Sequence, residues 1–118
     1  MSEISLVVLG ISGGVHAVAS VTDVPQVRLI QWSIKECERK DGRRTRHFIG
    51  YDADGREGRV SSSILEFDPE RKRARTSSGR VYELAGPAGR NRNADYVWDQ
   101  WMLLQKAKKD VEIDYEKA

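Results

Sequence analysis

Four tight-turn signals between residues 41 and 79 constrain this chain more than any other feature. Asp41-Gly42 is a hairpin dipeptide, because glycine reaches positive φ without steric cost. "DADGREG" (52–58) is a second glycine-rich polar break. In "DPER" (68–71), Pro69 presets φ at about −65° for the second position of a type I turn. Gly79, closing "TSSG", is the fourth. The segments between them are short and rich in β-branched and aromatic residues, so the chain must reverse direction repeatedly as strands.

The first of these segments, "VRLIQWSIKECER" (27–39), alternates, with Ile30, Trp32 and Ile34 on one face and Leu29, Gln31 and Ser33 on the other. "TRHFIGY" returns as its partner; "RVSSSILEFD", "KRARTSS" and "RVYELAG" follow as further strands, the last with Tyr82 and Leu84 on one face. Ahead of this meander, "ISLVVLG" and "VHAVASV" flank "ISGG" as strand, turn and strand, and Pro25 separates that hairpin from the rest. Behind it, "GPAGRNRN" halts the sheet and Asn93 reads as an N-cap. Ala94, Val97, Trp98, Trp101 and Leu104 then recur at helical spacing as an apolar stripe. Asp95 near the start of this helix, and Lys106, Lys108 and Lys109 near its end, suit the helix dipole.

One domain of 118 residues is therefore predicted: an N-terminal hairpin over 1–22, a basic antiparallel meander over 26–86, a helix over 93–109 and an acidic segment over 110–118, tail or added edge strand. The fold class is mainly β with a C-terminal helix. Short strands with tight turns suggest a small antiparallel, SH3-like barrel, or a strongly bent sheet packed on one helix. Trp101 and Leu104 are expected to be buried against that sheet.

The net charge of +2 does not by itself imply nucleic acid, but its distribution is uneven. Residues 35–92 hold 15 basic and 10 acidic side chains, and 12 of those cations are arginine, whose planar fork suits phosphate and carboxylate alike. "RKRAR" (71–75) is the densest run. The candidate binding residues are Arg43, Arg44, Arg46, Arg71, Lys72, Arg73, Arg75, Arg80, Arg90 and Arg92. Trp32, Tyr51 and Tyr82 would offer stacking faces wherever they point outward. The plain alternative is that these arginines solvate outward strand faces and pair with neighbouring carboxylates.

Other chemistries find little support. Cys37 is the sole cysteine, so no internal disulfide forms. Cys37 and His47 fall near cross-strand positions around the Asp41-Gly42 turn, but a packing pair is far commoner there than a catalytic dyad. One cysteine and two distant histidines, His16 and His47, match no zinc spacing. "SLVVLGISGG" lacks both G-x-G-x-x-G and the Walker lysine, so no nucleotide cofactor is expected. "AVAS" resembles a signal-cleavage pattern, yet the preceding residues carry Glu3 and no Lys or Arg, which favours a cytoplasmic protein. No segment has the apolar length of a membrane span.

The run from "FDPERKRARTSSGRVYELAGPAG" to "NADYVWDQW" resembles small uncharacterised proteins of proteobacterial phages and plasmids, which share a basic meander, an S-G-R-x-Y-x-L-x-G-P segment and a tryptophan-bearing last helix. The resemblance implies an accessory role and transfers no catalytic residue. The expected function is non-enzymatic binding of nucleic acid, or of an acidic surface on a nucleic-acid-handling complex. The alternative it raises is a protein inhibitor of anti-defence type that binds a host protein.

Overall fold

The computed structural model describes residues 6–9, 15–17 and 25–117. These form nine strands and one α-helix: β1 (Leu6–Leu9), β2 (Val15–Ala17), β3 (Gln26–Glu38), β4 (Arg44–Asp52), β5 (Glu57–Val60), β6 (Ile64–Asp68), β7 (Arg73–Thr76), β8 (Val81–Leu84), α1 (Arg92–Leu104) and β9 (Lys108–Ile113). A 3₁₀ turn over Tyr115–Lys117 follows. The turn between β1 and β2, the signal-like residues after β2 and the side chain of His16 lie outside the described residues.

The strands form one sheet in the order β2-β1-β5-β4-β3-β8-β7-β6, with β9 added on β3. This path is open rather than closed into a barrel, and α1 packs against β5, β4 and β1. Two features depart from the expected meander. First, β8 lies parallel to β3, with Gln26 opposite Val81 and Leu29 opposite Leu84. The chain after β8 continues along β3, Ala85 N–H donating to Leu29 O and Gly89 N–H to Trp32 O. Second, Lys108 and Lys109, expected at the helix end, open a strand that runs to Ile113 antiparallel to the far half of β3, so residues 110–113 form the added strand and not the tail. The thirteen-residue β3 thus serves β8 with its first half and β9 with its second.

A bulge makes that division possible. Gln31 takes φ 48° and the β3–β4 register shifts between Ile30 and Ser33. One inserted residue breaks period two, so Leu29 and Trp32 share a face instead of opposing one another. Both are buried in the same cluster with Val27, Ile34, Phe48, Tyr82 and Leu84. Cys37, Ile49 and Val60 point to the opposite face, where Ala94, Val97, Trp98 and Trp101 of α1 cover them. The β3–β4–β5 layer therefore carries a core on each side. At Gly58 the backbone of α1's first turn comes so close that an added Cβ would stand 2.5 Å from Asn93 C, so this position requires glycine.

"RVSSSILEFD" is two strands, not one. Ser61 and Ser62 are buried between them and satisfy backbone groups: Ser61 Oγ accepts from Phe48 N–H and donates to Ser62 O, and Ser62 Oγ accepts from Ser78 N–H. Serine hydroxyls that bond main chain in this way interrupt a ladder. The helix also shifts. Its N-cap is Asn91, whose side chain accepts from Ala94 N–H, so Asn93 lies inside the first turn. It ends at Leu104 because Lys106 adopts φ 54° and the final carbonyls are taken by Lys106 N–H and Ala107 N–H. That left-handed position usually belongs to glycine, so the sequence carries no stop signal. Leu104, expected in the core, is 65% exposed. Trp101 is fully buried as expected.

Candidate nucleic-acid interface

The predicted cations divide into three groups. The first is the β6–β7 hairpin. Arg73 and Arg75 alternate with buried Ala74 and Thr76, so they point outward. Their neighbours across the strands are carboxylates. Arg75 bonds Glu66 at 2.9 Å, Arg71 lies 3.8 Å from Asp68, and Arg73 stands in register between Asp68 and Glu83. Lys72 donates to Gly86 O at 3.4 Å. Four cations, Arg71, Lys72, Arg73 and Arg75, are matched in number by four carboxylates, Glu66, Asp68, Glu70 and Glu83, on these strands and their turn, so the local charge balances. This pairing with neighbouring carboxylates is the arrangement that the solvating alternative describes.

Arg80 forms the second group, and its outward placement is corrected: it is 1% exposed. Residues 80, 82 and 84 share parity, so Arg80 enters the core side beside Tyr82 and Leu84. Burial, and then the nearby Arg59 charge, hold its pKa below the usual arginine value. Arg59 is buried as well; its Nη1 lies 3.4 Å from Asp52 Oδ2 and 3.6 Å from Glu57 Oε1, and its Nε donates to Tyr82 OH at 3.3 Å. Burial raises the Glu57 carboxyl, with Arg59 opposing the rise. Both arginines are interior charges, out of reach of an external ligand.

The third group is concentrated at the β3–β4 hairpin. Pairing places Glu36 opposite Arg46 and Glu38 opposite Arg44 on one face of the sheet. Both arginines converge on Glu36, at 2.7 Å from Arg44 Nε and 3.0 Å from Arg46 Nε. Those two charge-assisted hydrogen bonds hold the Glu36 carboxyl below its ordinary pKa. On the other flank of β3, Lys108 and Lys109 reach Glu38 at 3.6 and 3.5 Å. Arg44 Nη2 donates to Lys109 O and ties the two flanks together. The result is a three-stranded face, β9-β3-β4, with a central row of two carboxylates between two rows of two cations. Arg43, paired at the turn with Asp41, and Lys40 and Lys106, all exposed, add positive charge at its end.

Beside this face lies a cleft of about 540 Å³, lined by Arg43, Arg44 and Arg46 with the Glu36 carboxylate, and by Ser63, Leu65, Ser77 and Ser78. Guanidinium donors opposite hydroxyls form a surface suited to phosphate oxygens. Arg90 and Arg92 do not join it. Arg90 pairs with Asp95 and Glu112, and Arg92 opens α1 with its side chain exposed. Sequence reasoning misses Lys108 and Lys109 as site residues because they read as the cationic end of a longer helix.

The aromatic candidates do not offer stacking faces there. Trp32 and Tyr82 are fully buried, and Tyr51 is half-buried. Cys37 and His47 are not direct partners either; Thr45 stands opposite Cys37, and Lys35 opposite His47. His47 Nδ1–H donates to Ser61 O, leaving Nε2 to accept from the Thr45 hydroxyl at 2.7 Å. Its ring lies under Trp101, with centroids 4.5 Å apart. Burial pushes the Cys37 thiol's pKa up, away from the reactive thiolate.

Comparison with protein-family models, with curated proteins and with solved structures finds no match for this chain. Among the described residues, no helix is long and apolar enough to cross a membrane.

Proposed function

We propose that the protein is a non-enzymatic, cytoplasmic nucleic-acid-binding domain whose contact surface is the β9-β3-β4 face and its adjoining cleft. One observation carries this reading: cations from two strands distant in sequence, Arg44 and Arg46 on β4 and Lys108 and Lys109 on β9, meet on one exposed face. Four cations there share two carboxylates, Glu36 and Glu38, which leaves that face an excess of positive charge that the balanced β6–β7 hairpin lacks. The enclosed His47 and the raised Cys37 pKa support a role without covalent chemistry.

Charge reversal tests the reading. Arg44→Glu with Arg46→Glu should weaken binding of nucleic acid at low salt by more than about tenfold. It should also make the slope of log K against log[salt] shallower by about 0.9 for each phosphate no longer neutralised. Arg73→Glu, on the balanced hairpin, should change neither by more than about twofold. A double reversal that binds like the parent would remove the proposed surface.

A second reading is a phage- or plasmid-encoded inhibitor that presses the same face on an acidic host protein, in keeping with the resemblance to proteins of mobile elements. It is favoured by apolar side chains flanking the cations: Leu65 is 55% exposed on the cleft wall, and Leu104 lies beside Arg39, Lys40 and Arg43. Purification without nuclease separates the two. Co-eluting nucleic acid supports the first, and one stoichiometric host protein supports the second.

A further inference from the structure

We infer that the open edge of β4 is a docking site for an extended, acidic segment of a partner protein, which joins the sheet there as an added strand. Such docking is separate from the nucleic-acid reading, because it uses main-chain groups that the reading leaves aside. Three observations carry it.

The first is how β4 is paired. Along one edge it meets β3 from end to end, with Arg44 opposite Glu38 and Asp52 opposite Leu29. Along the other edge β5 pairs only with the second half, from Ile49 to Asp52. Ser61 N–H still donates to Phe48 O, and the chain then diverges from β4 to pair with β7 as β6. Among the described residues, no strand pairs with this edge of β4 between Arg44 and His47.

The second is the direction of the main-chain groups there. Phe48 N–H donates to Ser61 Oγ and Phe48 O accepts from Ser61 N–H, so the main chain of Phe48 points away from β3. These groups alternate between the two edges of a strand, so those of Arg46 and Arg44 point the same way. An edge that offers both N–H and C=O is a template for another strand. Phosphate oxygens would answer only the N–H groups, whereas a polypeptide strand answers both.

The third is the space beside that edge. The cleft of about 540 Å³ has Arg43, Arg44, Thr45 and Arg46 at β4 and Ser63, Ile64 and Leu65 on the diverging chain. Arg44 and Arg46 share one carboxylate, Glu36, each through its Nε. Two guanidiniums against one carboxylate leave one positive charge in excess, which a carboxylate on the incoming strand balances. Leu65, 55% exposed, offers contact to an apolar side chain beside that carboxylate. In strand addition the main-chain bonds supply affinity and such side-chain contacts supply specificity.

The test selects peptides of about twelve residues from a random library displayed on phage, with the whole protein as bait, and then follows amide hydrogen exchange with the tightest peptide bound. Enriched peptides should carry Asp or Glu near an apolar residue, in a run free of proline, which cannot donate to a ladder. The bound peptide should slow exchange of the Arg44 and Arg46 amides by at least about tenfold, and change those of Thr45 and His47, which face β3, by less than about twofold. Arg44→Gln with Arg46→Gln should weaken peptide binding by at least about tenfold, the loss expected when charged hydrogen-bond partners are removed. Three results overturn the inference: no peptide is enriched, the enriched peptides lack carboxylates, or the Arg44 and Arg46 amides exchange in the complex as they do in the free protein. Protection of those two amides that rises with protein concentration in the absence of peptide also overturns it, since a second copy of the chain would then fill the edge. Each of these outcomes leaves the nucleic-acid reading as it stands.

Discussion

Trp101→Ala should lower unfolding stability by about 3–5 kcal/mol, the usual cost of emptying a large aromatic site in a core. Trp101 is fully buried and stacks on Trp98 with ring centroids 5.1 Å apart. Its indole also meets the His47 ring, and the Arg39 guanidinium lies 5.1 Å from its ring centre. Trp101 is therefore a central link between the helix and the β3–β4 hairpin. Domains of this size have total stabilities of about 5–15 kcal/mol, so the variant should lose a large fraction of its stability and unfold at a clearly lower temperature. Leu104→Ala, on the same helix but exposed, should stay within about 0.5 kcal/mol of the parent. Chemical denaturation of the two variants checks both values; a Trp101→Ala protein as stable as the parent would mean that α1 contributes little to the fold.

Arg59→Ala should be as damaging, for an electrostatic reason. The Arg59 side chain is 3% exposed and places one nitrogen between Asp52 and Glu57, themselves 9% and 14% exposed. Removing it leaves two carboxylates close together with their main counter-charge gone, and losing one partner of a buried ion pair costs about 3–5 kcal/mol. Asp52→Asn with Glu57→Gln in the same chain should recover part of the loss, because the remaining groups are then neutral. Thermal unfolding of the single, double and triple variants measures that coupling. No recovery in the triple variant would show that Arg59 acts by packing and not by charge.

Much of the architecture is legible in local chemistry. Asp41-Gly42, Asp68-Pro69 and Gly79 turn the chain where the sequence says they should, and the Ala94, Val97, Trp98 and Trp101 stripe is buried. What stays hidden is non-local or unmarked. No local signal distinguishes a parallel β8 from an antiparallel one, since both present Tyr82 and Leu84 inward. The bulge at Gln31 puts positive φ on glutamine, and the helix stop puts it on Lys106, in place of the glycine that would have announced either. Without a legible stop the helix reads on to residue 109, so Lys108 and Lys109, half of the cationic face, are assigned to it and not to the strand that follows. Arg80 is a different case. Its position two residues before Tyr82 already places it on the inward side, and the density of arginine around it obscures the parity. In "RKRAR" the neighbouring carboxylates come from β6 and β8 and are invisible in the run itself.

The central claim, that the β9-β3-β4 face is where nucleic acid binds, is tested most directly by mapping backbone amide chemical shifts while a short DNA duplex is titrated in at low salt. Shifts are expected to concentrate at Glu36–Glu38, Arg43–Arg46 and Lys106–Lys109, with Arg71–Arg75 almost unmoved. Shifts centred on Arg71–Arg75, or a spectrum that the duplex leaves unchanged, would contradict it.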